Sequence, residues 1–260
     1  MSAPVLAARD LSKRFGGIAA VDGVSFDVAA GELVALIGPN GAGKSTCFNM
    51  LGGQLRPGAG TVRVAGQNVT GRPPPAVWRA GVGRTFQLAR VFGSMTVAEN
   101  VQTACLSHGG QGRRLWPRAT RRFRERARSL LERVALGDAA HRPADALPYG
   151  DVKRLELAMA LANDPILLLM DEPTAGMAPE ARGALMDLVR DQVRREQRAV
   201  LFTEHDMDVV FGHADRVLVM DRGVLIAQGP PDTVAADDRV QAVYLGTPAA
   251  AASHTAAAPC

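Results

Sequence analysis

Gly38-Pro39-Asn40-Gly41-Ala42-Gly43-Lys44-Ser45-Thr46 fits the pattern G-x-x-x-x-G-K-[ST]. The run before it, Leu33-Val34-Ala35-Leu36-Ile37, is continuously apolar, as a strand buried on both faces requires, and Ser45 to Leu51 reads as the start of a helix. Strand, glycine-rich loop and helix in that order form a cradle for phosphates. The glycines let the backbone wrap closely, so that its N–H groups and the positive end of the helix point at one anion. Lys44 adds a point charge for the β- and γ-oxygens, and the Ser45 hydroxyl can ligate Mg2+. Alone, this loop implies that ATP or GTP binds.

A second aliphatic stretch, Leu167-Leu168-Leu169-Met170, delivers Asp171 and Glu172 at its carboxyl end, where open α/β sheets bind ligands. Adjacent residues on an extended chain point in opposite directions, so the two carboxylates divide the work. Asp171 is expected to hold Mg2+, directly or through water, and Glu172 to polarise the attacking water. By itself Asp171-Glu172-Pro173 also fits a plain helix start, with Pro at the first helical position. Phosphoryl transfer is mostly positioning and charge neutralisation, so further polar groups should converge on the γ-phosphate. Gln87, in Thr85-Phe86-Gln87, and His205, which follows the Val200–Thr203 strand, are the candidates.

Of the 260 residues, 47% are hydrophobic and 22% charged, enough for a sizeable core and against disorder outside the ends. The 30 basic and 26 acidic residues, with a pI near 9.3, do not by themselves call for a polyanionic partner. Cys47, Cys105 and Cys260 show no paired spacing, which suits a reducing cytosol and argues against a disulfide framework or a zinc site. No basic-then-apolar leader opens the sequence, and the longest aliphatic run, Ile166 to Met170, is far too short to cross a bilayer.

Strands are expected at Val5-Leu6-Ala7, around Val24, Phe26 and Val28, and at Thr61–Val64. Val91 to Met159 reads as helical. Residues 113–133 there carry nine arginines, with Leu130, Leu131 and Val134 at helical spacing, either a solvated face or a contact for acidic lipid or a partner loop. From Pro165 strands (166–170, 199–203, 217–220, 224–227) alternate with helix (179–195), which implies a parallel sheet with helical crossovers. The alanine-rich tail 247–260 lacks periodicity and is expected to be disordered.

The phosphate loop, Gln87, Leu147-Pro148-Tyr149-Gly150-Asp151, Asp171-Glu172-Pro173-Thr174 and His205 occur in an order and at separations that resemble the nucleotide-binding subunits of ABC transporters, over residues 1 to about 246. The resemblance implies an α/β fold. Its P-loop (RecA-like) core, about 1–87 and 159–246, would carry an antiparallel β-subdomain and an inserted α-helical subdomain at about 88–158. It also implies ATP with Mg2+, and a head-to-tail dimer that sandwiches two ATP molecules. Phe15 matches the aromatic that stacks on adenine, with a core phenylalanine as the alternative. Gln87 matches the residue that links Mg2+ and the γ-phosphate to the subdomain touching the membrane subunits, and His205 the histidine that holds the γ-phosphate. Tyr149 and Gly150 lie in the segment that meets the opposite subunit's nucleotide.

The implied partners are a second ATPase subunit (a different one or a second copy), two transmembrane permease subunits and a periplasmic substrate-binding protein, with no nucleic acid. The implied location is the cytoplasmic face of the bacterial inner membrane. More narrowly, Gly83–Gln87, Met95–Val101, Asp171–Pro179 and Val243-Tyr244-Leu245-Gly246 look like the ATPases of high-affinity branched-chain amino acid importers, the Liv family. The arginine-rich stretch between Ser107 and Val134 resembles the longer of that system's two ATPases. Related ATPases for urea, amides or lipopolysaccharide share much of the pattern. Non-transport ABC ATPases would bring a long coiled-coil insertion or two cassettes in one chain, and neither is evident.

Two places depart from the family pattern. The usual Leu-Ser-Gly-Gly-Gln reads Leu147-Pro148-Tyr149-Gly150-Asp151. Pro148 has neither hydroxyl nor N–H to give a phosphate, and Asp151 brings a negative charge that Lys153 or Arg154 would have to offset. The aspartate usual in the loop after Thr174 is replaced by Ala178. Both elements serve the nucleotide held mainly by the opposite subunit. An unequal pair is therefore expected, beside the plainer reading of a tolerated variant.

Overall fold

The computed structural model describes residues 3–85, 91–108 and 117–245; Gln87 and the tail 247–260 lie outside them. A long hairpin, β1 (Leu6–Phe15) and β2 (Ile18–Val28), leads into β3 (Leu33–Ile37), the phosphate loop and α1 (Lys44–Leu51). Then come β4 (Ala59–Val64), β5 (Gln67–Asn68), α2 (Pro74–Arg79) and β6 (Val82–Arg84). Three helices follow, α3 (Val97–His108), α4 (Pro117–Arg133) and α5 (Tyr149–Ala160). The chain returns through β7 (Leu167–Asp171), α6 (Pro179–Glu196), β8 (Ala199–Thr203), α7 (Met207–His213), β9 (Arg216–Asp221) and β10 (Val224–Gly229) to α8 (Pro231–Ala235) and α9 (Asp238–Leu245).

The strands make two sheets. One is antiparallel, in the order β2-β1-β4-β5. The other runs β10-β9-β3-β8-β7-β6 and is parallel except at β10. The antiparallel edge was not expected from the alternation of strands and helices. It arises because Arg222 and Gly223, both at positive φ, join β9 to β10 in a tight turn, and so short a connection can only pair strands antiparallel.

The apolar runs are explained by burial on both sheet faces. Leu33, Ala35 and Ile37 join Leu168, Met170, Val200 and Phe202 in a core shared with the helices. Val34 and Leu36 join Leu167, Leu169, Ala199 and Leu201 in a second core with the β1–β2 hairpin and with Phe48 and Leu51 of α1. Alternation within each strand persists, but both faces are apolar. Of the inserted helices, α3 opens with a capping box. The Glu99 N–H donates to the Thr96 hydroxyl at 3.2 Å, and the Thr96 N–H donates back to Glu99 at 2.8 Å. Helix α4 turns Ala127, Leu130 and Leu131 into the core. Because β3, β8 and β7 are consecutive neighbours in the parallel sheet, their carboxyl ends bring three loops together.

Candidate nucleotide-binding site

The first loop is Gly38–Thr46. Gly38 has φ 150°, and a Cβ there would stand 2.1 Å from the Met220 carbonyl oxygen; at Gly43, φ 101°, it would stand 2.3 Å from that of Ala20. No side chain fits either position, so the loop can close onto the chain segments 19–22 and 220–223. Gly43 is also the N-cap of α1, and with no capping side chain and no acid in the first turn the helix keeps its N-terminal N–H groups for an anion. The Lys44 ammonium is nearly buried and donates to the carbonyls of Gly38 at 2.6 Å and Pro39 at 3.1 Å. Burial lowers its pKa from the usual lysine value, against the opposing pull of the Glu172 and Asp171 carboxylates.

The second loop leaves β7. Asp171 closes the strand, and its carboxylate accepts from the Thr203 hydroxyl of β8 at 2.8 Å. Its other oxygen lies 3.6 Å from Arg84, whose guanidinium also reaches Phe48, Asn49 and Gln54 at the end of α1. The extended conformation expected at Glu172 does not occur, because the strand ends at Asp171. Glu172 takes φ 47°, a left-handed conformation that costs a residue with a side chain about 1 kcal/mol. Its N–H donates to the Thr203 carbonyl at 3.1 Å, so the turn starts within reach of the neighbouring strand. The helix start suggested by Asp171-Glu172-Pro173 does not occur, since α6 begins at Pro179.

The third loop leaves β8. His205 Nε2 lies 2.7 Å from Glu172 Oε1, donating in the tautomer that carries its proton there. Glu204, whose side chain the sequence reading did not single out, is buried and ties the second loop to the third. It accepts from the N–H and hydroxyl of Thr174, at 2.8 and 2.6 Å, and from the His205 N–H at 3.1 Å. Thr174 is itself fully buried. The only hint in the sequence was a carboxylate among apolar residues next to a histidine. Asp206 caps α7 through the N–H groups of Asp208 and Val209, and pairs with Arg182 of α6.

Structure thus gathers Gly38–Thr46, Asp171, Glu172 and His205 at one end of the sheet. Phe15 stands at the tip of the β1–β2 hairpin, whose Ala20 and Val21 adjoin Gly43 of the phosphate loop. Its ring is 52% exposed with the Lys13 ammonium 5.7 Å from its centre, so the core-phenylalanine alternative fails. Tyr149 and Gly150 open α5 and have Gly176, Met177 and Ala181 as neighbours. Pro148, at the N-cap, makes no side-chain bond. Asp151 lies 3.5 Å from Arg154, while Lys153 is buried with Glu156 at 3.6 Å, so among the described residues the ion pair at Asp151 is with Arg154.

A glycine-rich phosphate cradle beside Asp171, Glu172 and His205 on adjoining strands defines a P-loop nucleotide hydrolase site. The chain belongs to the ABC transporter family: that family's model matches residues 21–175, and a model described as a branched-chain amino acid ATP-binding cassette transporter matches residues 224–250. It is 39% identical over 253 residues to the high-affinity branched-chain amino acid transport ATP-binding protein LivG of Escherichia coli, covering 95% of this chain and 99% of LivG. It is 38% identical, over 95% of this chain and 99% of the relative, to BraF of Pseudomonas aeruginosa, which carries the same description. Among solved structures, a nucleotide-free ATP-binding cassette of an ABC transporter aligns with TM-score 0.82 at 30% identity, over 94% of this chain and all of that one. A cassette in its ADP conformation aligns with TM-score 0.81 at 30% identity, over 95% and 100%.

Proposed function

We propose that this chain drives import of branched-chain amino acids. It would work at the cytoplasmic face of the bacterial inner membrane with a second ATPase subunit, two permeases and a periplasmic binding protein. The match of residues 224–250 and the named relatives support the substrate. The hydrolytic reading is carried by one observation, the 2.7 Å contact of His205 with Glu172.

The loop N–H groups and Lys44 neutralise the β- and γ-phosphates. The donors on the first two loops, the Ser45 hydroxyl and the Asp171 carboxylate, suit Mg2+, an ion that takes hydroxyl, carboxylate, water and phosphate oxygens. Ser45 and Asp171 would hold it, Asp171 through water because Thr203 and Arg84 already engage its carboxylate. When bound, Mg2+ supplies charge neutralisation on the phosphates. Glu172 takes the proton of the attacking water as its oxygen bonds to the γ-phosphorus and the β–γ bridge breaks, releasing ADP. His205 keeps the Glu172 carboxylate aimed. Phe15 stacks on adenine, Tyr149 and Gly150 meet the other subunit's nucleotide, and Gln87 couples the site to the permeases.

Among the described residues no helix is long and apolar enough to cross a membrane, so force must pass through a surface contact. A groove of about 460 Å3, walled by Trp78 and Val82 on one side and Ala104, Met159 and Ala160 on the other, is the docking site for a permease segment. Reconstitution with both permeases tests the reading. ATPase should rise with a leucine-loaded binding protein, and Met159→Arg should prevent assembly. Stimulation by a urea- or amide-loaded protein instead would refute the substrate.

A further inference from the structure

One side chain joins the nucleotide site to the groove. Arg84 closes β6, whose register sets it beside Leu169 of β7, two residues before Asp171. Its side chain is 11% exposed, and it lines the groove together with Gly52 and Gln54. The guanidinium donates through Nη1 to the Phe48 carbonyl at 3.2 Å and to Gln54 Oε1 at 2.7 Å, and through Nη2 to Asn49 Oδ1 at 2.9 Å. It also lies 6.0 Å from the centre of the Phe48 ring. Gly52 leaves the space for this arrangement. A Cβ there would stand 2.3 Å from Gln54 Oε1 and 2.6 Å from Arg84 Nη1.

Beside these contacts the approach to Asp171 is loose. Arg84 Nη2 lies 3.6 Å from Asp171 Oδ2, too long for a hydrogen bond, yet close enough for a strong Coulomb attraction between two mostly buried side chains. The same cation repels any metal ion drawn to that carboxylate. A guanidinium carries its donors in a rigid fork, so a bond gained on one side is set against the pull on the other. Gln54 and the end of α1 thus hold the charge back from Asp171.

We propose that Arg84 is a positioning residue that sets how tightly Asp171 holds Mg2+, with Gln54 at the groove moderating it. The proposal rests on the reading above for Asp171 as the ion's carboxylate and for the groove as the permease contact. A docked segment that presents an acceptor beside Gln54 draws the guanidinium farther from Asp171, so filling the groove tightens the metal site.

Electron paramagnetic resonance of Mn2+, which shares the oxygen ligands of Mg2+, tests this on the full chain with a non-hydrolysable ATP analogue and no permease. Arg84→Gln should bind Mn2+ about tenfold tighter yet hydrolyse ATP more slowly, because the opposing charge is gone and Asp171 has lost its brace. Arg84→Lys keeps the charge and should stay within about twofold of wild type in Mn2+ affinity. Gln54→Ala lets the fork lean on Asp171 and should weaken Mn2+ binding about two- to threefold. A purely structural arginine predicts the reverse for Arg84→Gln, weaker metal with slower turnover. Weaker or unchanged Mn2+ binding by Arg84→Gln would overturn the proposal. If that variant does not fold, unchanged or tighter binding by Gln54→Ala does the same. Asp171→Ala separates this inference from the reading beneath it. Should it leave Mn2+ binding unchanged, Asp171 does not hold the ion and both fall. Should it abolish binding while the Arg84 and Gln54 variants match wild type, this inference alone falls.

Discussion

At the carboxyl ends of β3, β7 and β8 the side chains of Lys44, Asp171, Glu172 and Thr174 are each held by another group. Thr203 holds Asp171, His205 holds Glu172, Glu204 holds Thr174, and two loop carbonyls hold Lys44. The amino end of α5 is different. Pro148 caps without a side-chain bond, Tyr149 is 44% exposed, and Asp151 pairs with Arg154 one turn on. The first region is fixed before charge moves, which is what electrostatic stabilisation of phosphoryl transfer requires. The second presents backbone N–H groups and a carboxylate to an incoming phosphate, a weaker and partly repulsive offer. On the proposed assignment of the α5 start to a partner's nucleotide, a single chain would carry a well-organised half for its own nucleotide and a poor half for another's.

The largest effect that could break this comparison is at Lys44. Lys44→Ala should reduce hydrolysis more than about a thousandfold, since it removes a positive charge from a water-poor site built around it. Steady-state phosphate release measures this, and retention of wild-type turnover would remove the loop from the mechanism. Glu172→Gln should follow, at about a hundred- to a thousandfold in kcat, because it removes proton acceptance while keeping the hydrogen bond to His205. ATP affinity, read by a fluorescent analogue, should be preserved. Loss of binding and turnover together would mean that Glu172 serves structure instead.

Much of this first region was legible in the sequence. Buried strands announce themselves by unbroken apolar runs, and the loop by its glycines and lysine, because each demands particular residue types at fixed spacing. Neither the left-handed turn at Glu172 nor the Glu204 clamp was legible. A positive φ at a non-glycine is imposed by tertiary contacts, here the Thr203 carbonyl, and a buried carboxylate is recognised only when its donors are seen 30 residues away. Lys153 misled for a related reason. Sequence spacing puts it near Asp151, but helix phase turns it inward to Glu156.

A smaller change sharpens the comparison by loosening the well-built half. Thr174→Val keeps the volume but deletes one of the donors to buried Glu204. It should cost about 1.5–3 kcal/mol in denaturant titration, the range for a hydrogen bond to a charged group. A modest fall in kcat should accompany it, since the segment after Glu172 is no longer tied to His205's loop. Unchanged stability would mean that Glu204 finds its donors elsewhere.

The smallest effect should come from improving the poor half. Pro148→Ser with Asp151→Gln restores a hydroxyl and removes a negative charge at the amino end of α5. Two consequences of opposite sign are expected. An acid in the first turn complements the helix dipole, so its loss should destabilise the chain by about 0.3–1 kcal/mol. The same charge repels a phosphate, so nucleotide held against this segment by a partner subunit should bind about two- to fivefold tighter. A serine hydroxyl at this N-cap offsets that loss, so stability should change little while ATP retention in the assembled pair rises, a combination difficult to explain by packing. The pair also permits a direct check, by neutralising the core glutamate of one subunit at a time. If the sites are unequal, loss of Glu172 should silence most turnover and loss of the partner's glutamate much less. In the double variant that gap should narrow. Equal losses before and after would identify Pro148 and Asp151 as tolerated substitutions in a symmetric machine.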